Sequence, residues 1–377
     1  MRTPVCDRLG IEFPIFAFSH CRDVVAAVTQ AGGFGVLGAL AFEPDQLEIE
    51  LRWIDEHVGG RGYGVDFAMP ASYVGKGGGE AATVESLRAM IPASHWEFAN
   101  QILAEHGVPP LPADLERRKI KAAGLGVDEE GPGQVEVSLS HENVKLLVNA
   151  LGPPPAYVVE RAHAKGIWVG ALVGTREHAK KQVAQGVDLI VAQGTEAGGH
   201  TGEISTLVLV PDVVDAVGAR VPVLAAGGIG CGRQIAAALA LGAQGAWTGS
   251  IWLTVAESGT DPVVIENLLA AGARDAVRSR SMTGKPARQL RTAWTEAWER
   301  PDAPKTLPMP LQGILYSEMA TRFSRAHSRA LAGSPVGQIV SRMDAVRASR
   351  DVVRDLVEEC VSTMERLDAL FAKAERA

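Results

Sequence analysis

The feature that most constrains the fold is a repeated pairing of a short apolar run with an amphipathic stretch. Pro14–Phe18, Phe34–Leu37, Tyr63–Phe67, Lys145–Leu151, Trp168–Val173, Leu189–Gln193, Val223–Ala226 and Gly245–Gly249 read as strands. Asp23–Ala31, Pro44–His57, Ala156–Lys165, Thr175–Gln185, Thr206–Val217 and Arg233–Leu241 read as helices between them. Runs such as DLIVAQ and VPVLAAG are apolar without alternation, as strands buried on both faces must be. Strand–helix alternation of this kind defines an α/β protein with a parallel sheet. Eight units in this length match a (β/α)8 TIM barrel, which typically takes about 250 residues.

Two segments exceed the minimal barrel. Residues 71–140 are polar and rich in Gly and Pro, and a structureless loop of that length is implausible. They are expected to form an inserted, mainly helical subdomain after strand 3, with helices near Val84–His106 and Ala113–Ala122. The barrel then comprises residues 1–70 and 141–257. Residues 258–377 are expected to be a mostly helical extension over the active-site face and barrel side, with Pro308–Tyr316 closing over the site. Ile339, Met343, Val346, Val353, Val357, Cys360, Met364, Leu367 and Phe371 follow a heptad-like spacing. That spacing suits a helix packed on the barrel, with a homodimer contact as the alternative.

Composition narrows the function classes. Asp and Glu total 44 against 37 Lys and Arg, which disfavours a general nucleic-acid binder. The opening MRTPVCDRLGIEFPIF lacks the apolar core of a signal peptide, and no apolar stretch is long enough to span a membrane. Cys6, Cys21, Cys231 and Cys360 are dispersed, as reduced thiols in a cytoplasmic protein would be. The histidines show no HxH, HExxH or Cys/His cluster, so no metal site is expected.

Chemistry concentrates in glycine clusters that follow strands. AQGTEAGGHTG (residues 192–202), AAGGIG (225–230) and WTGS (247–250) close three successive strands. Gly198 and Gly199, Gly227 and Gly228, and Gly249 with Ser250 let backbone N–H groups approach an anion, the usual phosphate site of such barrels. His200 follows the first pair and can accept, donate or hold a proton near neutral pH. A fourth cluster, Gly33-Phe-Gly35-Val-Leu-Gly38, spells GxGxxG with Asp55 beyond it. A dinucleotide fingerprint follows a strand and opens a helix. This run follows a helix and enters a strand, so close packing is the expected role.

AQGTEAGGHTG, VPVLAAGGIGCGRQIAAALALGAQGAWTGS, the later MTGKPAR and the opening PIFAFSHCRDVVAAVTQAGGFGVLGA together resemble the nitronate monooxygenase family, once called 2-nitropropane dioxygenases. The resemblance spans roughly residues 10–70 and 145–295. It implies an FMN-containing TIM barrel that oxidises alkyl nitronates with dioxygen. It places Gly198, Gly199, Gly227, Gly228, Gly249 and Ser250 at the FMN phosphate, Gln193 near the isoalloxazine ring, and His200 at the catalytic histidine.

Two positions depart from that pattern. The common PM segment after the first strand is Phe18-Ser19-His20, and a common asparagine after the third strand is Asp66. Ser19 and Asp66 are expected at the cofactor, and His20 either as a second active-site histidine or in a structural role. The basic segment RSRSMTGKPARQLR is either a solvated face or a rim where Lys285 or Arg288 would attract an anionic substrate such as propionate 3-nitronate or an acyl-CoA. The alternative activity is an NAD(P)H-dependent FMN reductase acting on an enoyl thioester or related acyl-CoA.

Overall fold

The computed structural model describes residues 1–69, 83–112 and 130–374. Eight parallel strands close into a barrel: β1 (Ile15–Ser19), β2 (Phe34–Gly38), β3 (Tyr63–Phe67), β4 (Val144–Asn149), β5 (Trp168–Val173), β6 (Leu189–Gln193), then β8 (Val223–Ala226) and β9 (Gly245–Thr248), which returns to β1. The two-residue β7 (Gly199–His200) lies outside the barrel. It pairs with β11 (Ala287–Leu290), which in turn pairs with β10 (Ala276–Ser279). The helices begin with α1 (Pro4–Leu9), α2 (Arg22–Gln30), α3 (Pro44–His57), α4 (Val84–Ala89), α5 (Ala93–Glu105), α6 (Glu130–Ser140) and α7 (Ala156–Ala164). They continue with α8 (Arg176–Ala184), α9 (Thr206–Val217), α10 (Gly232–Ala240), α11 (Pro262–Ala270), α12 (Ala293–Ala297), α13 (Leu311–Arg325) and α14 (Ser349–Ala374).

The protein is thus the (β/α)8 barrel that the strand–helix repeat predicts. Alternation along each strand divides its side chains. Phe16, Phe34, Val36, Leu146, Val148, Leu189, Val191, Leu224 and Trp247 fill the barrel interior. Helix α1 plugs its lower end with Val5, Cys6 and Leu9. The opposite parity, including Ile15, Ala17, Val65, Leu147 and Ile190, packs outward against the helices. Burying a large side chain of this kind contributes about 1.5–3 kcal/mol over leaving it exposed.

The glycines of the GxGxxG spelling serve this packing. A Cβ on Gly35 would lie 2.4 Å from the Val25 carbonyl, and one on Gly33 would lie 2.9 Å from the Ile15 carbonyl. Helix α2 therefore seats directly on β2, as the reversed context predicts.

Within the insertion, α6 joins the barrel's outer layer through Val135 and Leu139, whereas α4 and α5 belong to a second core. Leu87, Ile102 and Leu103 join Trp294, Trp298, Leu311, Ile314, Leu315 and Phe323 in a separate apolar core. Helices α4 and α5 and helices α12 and α13 thus build one helical unit from distant stretches of chain. The helix predicted over Val84–His106 is split, because Pro92 has no N–H to continue it and instead precedes α5. The helix predicted at Ala113–Ala122 lies outside the described residues.

The extension beyond residue 257 is helical but also contains the β10–β11 hairpin. AVRS and ARQL carry little strand signal alone, and their pairing with β7 is a long-range event. Helix α14 packs on the barrel. A Cβ on Gly232 in α10 would lie 2.4 Å from the Cys360 backbone N. No helix among the described residues is long and apolar enough to cross a membrane.

Candidate active site

The carboxyl ends of the strands form a mouth whose floor is aromatic. Phe18 and Trp247 lie 6.3 Å apart between ring centroids, close to parallel. One side of the mouth is built almost wholly from backbone. Gly199, Gly227 and Gly228 adopt φ of 74°, 99° and 68°, the left-handed region that glycine enters without steric cost. Side chains would fill the space between these loops. A Cβ on Gly227 would meet the Gly194 carbonyl at 2.9 Å, and one on Gly228 would meet Glu196 at 3.2 Å. Around Gly199 nothing lies within 4 Å of a built Cβ, and around Gly249 only Phe18 does, at 3.9 Å.

No hydrogen bond among the described residues engages the backbone N–H of Gly228, Gly249 or Ser250. Unused N–H groups on neighbouring strand-end loops can form an anion cradle.

Side chains hold the cradle from behind. The Glu196 carboxylate accepts the Thr206 N–H at 2.9 Å, and Thr206 Oγ1 lies 2.9 Å from the Gly227 carbonyl. Ser250 Oγ accepts the Gly337 N–H at 2.8 Å. Gly198 lies under the same segment, where a Cβ would meet Val336 backbone at 2.9 Å. The Ser250 hydroxyl and the close approach at Gly198 therefore hold residues 336–337 against these loops.

His200 reaches the site through β7. Its partner in register is Ala287, and Nε2 lies 2.8 Å from Thr283 Oγ1, which fixes the ring. Burial, and then the Lys285 ammonium, push its pKa below the usual histidine value. Both effects favour the neutral imidazole.

Strand parity separates the two basic candidates. Lys285 is exposed at the rim and acts electrostatically on His200. Arg288 is paired with Gly199, on the face opposite His200, and is buried. Its Nε donates to the Thr195 carbonyl at 2.9 Å and its Nη1 to the Ala276 carbonyl at 2.7 Å. The expectation that Arg288 attracts substrate is corrected: it ties the hairpin to the β6 loop.

Ser19, expected at the cofactor, shares outward parity with Ile15 and Ala17. Its Oγ accepts the Cys21 N–H at 3.1 Å. The hydroxyl therefore shapes the turn into α2 and faces away from the mouth.

Asp66 has the inward parity of Gly64 and stands beside Gly38 on β2 and Val148 on β4. It is buried, its carboxyl has no hydrogen-bond partner among the described residues, and burial raises its pKa well above the carboxylate range. Gln193 ends β6 half-buried, also without a side-chain partner among the described residues. His20 follows β1 with the inward parity of Phe18. Its Nδ1 bonds the Gly38 carbonyl at 3.0 Å. The Pro308–Tyr316 segment packs on the loop that carries Thr283: Gln312 Nε2 donates to the Ser281 carbonyl at 2.9 Å, and a Cβ on Gly284 would lie 3.1 Å from the Met309 N.

Sequence reasoning missed Glu196, Thr283 and Gly337. The first two stand inside the quoted motifs TEAGGH and MTGKPAR, as polar residues beside the key glycines and histidine. Gly337 has no local signal, because its meaning comes from contact with Ser250.

The fold places unused backbone amides and a half-buried histidine at the mouth of a (β/α)8 barrel. The family model for nitronate monooxygenase matches residues 2–359. A protein of Mycobacterium tuberculosis, named provisionally as a monooxygenase, is 53% identical over 382 residues, covering 99% of this chain and 100% of its own. An indene-4-carboxyl-CoA dehydrogenase of Rhodococcus jostii is 39% identical over 163 residues, 43% of this chain and 45% of its own. The crystal structure of nitroalkane oxidase from Streptomyces ansochromogenes superposes with a TM-score of 0.78 at 27% identity, covering 96% of this chain and 99% of that one.

The chain belongs to the nitronate monooxygenase family. It is an enzyme of the monooxygenase class, and membership implies a flavin. The residues present fit that group. The Gly228, Gly249 and Ser250 amides suit its phosphate, and the open space at Gly199 and Gly249 admits it. Gln193 and Asp66 offer unpartnered polar groups on the mouth side of the barrel.

Proposed function

We propose that the protein is an FMN-dependent oxidase of alkyl nitronates, such as propionate 3-nitronate, which uses dioxygen and yields a carbonyl product and nitrite. The observation that carries this reading is the set of unused backbone amides after β8 and β9, together with His200 in β7 after the neighbouring strand β6. FMN ends in a single phosphate, which matches one anion cradle. When bound, FMN supplies the electron transfer between substrate and oxygen.

The chain's own residues bind and orient. Glu196 and Thr206 hold the cradle in shape before the phosphate arrives. Thr283 fixes the His200 ring, so that one imidazole edge is presented to the nitronate oxygens. A nitronate is already a carbanion equivalent, so this neutral histidine serves by hydrogen bonding rather than by proton removal. Lys285 at the rim attracts the anionic substrate. The Phe18–Trp247 floor keeps water from the underside of the site.

A second reading is an FMN reductase of an acyl-CoA. It is favoured by the 39% local identity to a carboxyl-CoA dehydrogenase. One experiment separates the two. The purified yellow protein is made anaerobic and mixed with propionate 3-nitronate, or with NADPH followed by an enoyl-CoA. Bleaching by nitronate, with oxygen uptake on re-aeration, supports the oxidase. Bleaching by NADPH alone, reversed by the thioester, replaces it with the reductase.

A further inference from the structure

Asp66 stands where the barrel itself gains nothing from a carboxyl. It is the last inward position of β3 and is only 4% exposed. Its register partners are Gly38 on β2 and Val148 on β4, and Val36, Leu146 and Val148 make the interior beside it apolar. Gly38 brings it no side chain, because the His20 ring fills that space. A Cβ on Gly38 would lie 2.5 Å from His20 Nδ1 and 2.6 Å from Cε1. That Nδ1 is engaged with the Gly38 carbonyl at 3.0 Å. Asn149, next along β4, has the opposite parity, and its Oδ1 accepts the Met69 N–H at 2.9 Å. Tyr63 on β3 also points outward, its hydroxyl 3.4 Å from the Leu51 carbonyl. The turn at Ala39–Ala41 that packs on β3 carries no ionisable side chain.

These surroundings decide the form of the group. No cation faces Asp66 among the described residues, so nothing there opposes the charge of an ionised carboxylate, and burial favours the neutral acid. A neutral carboxyl keeps one O–H donor, and no acceptor among the described residues meets it. A leucine would fill the same space without leaving a polar group unpaired. The carboxyl is therefore a donor whose partner must come from the mouth. The flavin that family membership implies carries ring carbonyl oxygens and ring nitrogens that accept. An amide at this position would donate as well, but only a carboxyl can lose its donor by ionising.

We propose that Asp66 holds the flavin as a neutral acid, donating its O–H to an acceptor of the ring, and that loss of this proton releases the cofactor. The proposal rests on the flavin reading of the site and not on which substrate is oxidised. Ionisation removes the donor and sets a negative charge against the acceptor it served. Flavin then binds the protonated protein, so its affinity is constant while Asp66 keeps its proton. Above that titration it falls by as much as tenfold per pH unit, as linkage to one proton requires. The other groups that titrate near the mouth are His20, His200, Lys285 and the FMN phosphate, whose second ionisation lies near pH 6. All four are unchanged by Asp66→Asn, so their effects cancel in a comparison with that variant.

The test compares wild type with Asp66→Asn, which donates without ionising, and Asp66→Leu, which fills the space without donating. Holoprotein is diluted at a series of values from about pH 6 to about pH 9. The dissociation constant is read from the fluorescence of released FMN. Far-UV circular dichroism reports folding, which the leucine variant should keep because it removes a buried unpaired group. The infrared C=O stretch of a neutral carboxyl, sought in the wild-type holoprotein and in both variants, reports the proton directly.

The ratio of the wild-type Kd to that of Asp66→Asn should stay within about threefold at pH 6 and rise about tenfold or more by pH 9. Asp66→Leu should bind FMN about tenfold more weakly than wild type at pH 6, the loss of one hydrogen bond, with the pH profile of the asparagine variant. The infrared band should be present in wild type at pH 6 and absent from both variants. A ratio that is constant with pH overturns the proposal. So does a ratio that falls as pH rises, which marks an ionised carboxylate held by a donor. FMN bound by Asp66→Leu as tightly as by wild type, or the absence of the wild-type band, also overturns it. Folded wild type that takes up no FMN at any pH refutes the flavin reading itself, a failure distinct from a flavin that binds without regard to Asp66.

Discussion

Removing the Arg288 guanidinium tests how the site is held together. Its two donors reach carbonyls on different pieces of chain, Thr195 after β6 at 2.9 Å and Ala276 in β10 at 2.7 Å. A hydrogen bond from a charged donor contributes about 1.5–3 kcal/mol, and a carbonyl left buried without a partner costs a comparable amount. Arg288→Met keeps most of the apolar stem, so packing loss is small. Burial and the neighbouring Arg278 oppose the native charge, so some desolvation cost is recovered when it goes. The net expectation is a loss of about 3 kcal/mol.

For a chain of this size that lowers Tm by roughly 6 °C, extrapolating from about 2–4 °C per kcal/mol for smaller proteins. The assay is thermal unfolding followed by both far-UV circular dichroism and flavin release. Because β11 also pairs with His200, kcat should fall while KM for an anionic nitronate changes little. An unchanged Tm with a tenfold rise in KM would refute the structural role and restore Arg288 as a substrate-binding cation.

Four further outcomes follow from the same geometry. Lys285→Gln should leave Tm within about 1 °C, because the side chain is exposed, and should raise KM for propionate 3-nitronate in a salt-sensitive way. The same change relieves the charge that lowers the His200 pKa, so the acid limb of the pH–rate profile should move upward from its wild-type place below pH 6.5. His20 and His200 stay neutral when folded but take up protons when unfolded, so stability should fall as pH drops through about 6.5 in urea titrations. Gly232→Ala puts a Cβ 2.4 Å from the Cys360 backbone and should cost about 2–3 kcal/mol in thermal melts, with little change in kcat for the protein that stays folded.

Much of the barrel was legible because its signals are local. Apolar runs such as LIVAQ and VLAA appear where β6 and β8 stand, and glycine runs mark their carboxyl ends. His200 was findable from its place beside Gly198 and Gly199. What escaped depends on residues far apart in the chain. The AVRS and ARQL strands exist because β7 gives them an edge, and Arg288 reads as a rim cation until parity turns it inward. Ser19 likewise lies one residue from the mouth, and a strand's alternation decides against it. Asp66 in YGVDF gives no hint in sequence that its carboxyl would be buried unpaired. Gly38 shares its spelling with Gly33 and Gly35, and only the position of the His20 ring separates their roles.

The helical unit built from α4–α5 and α12–α13 bears on how the chain comes off the ribosome. Leu87, Ile102 and Leu103 have their apolar partners at Trp294, Leu315 and Phe323. Those partners are synthesised about 190 residues after α5, a delay of roughly 10–40 s at 5–20 residues per second. Throughout that interval the nascent chain carries an amphipathic helix pair with no surface to cover it, while the barrel assembles around it. A chain stopped between α5 and α12 would present this stripe permanently, so premature termination there should produce a chaperone client rather than a smaller enzyme.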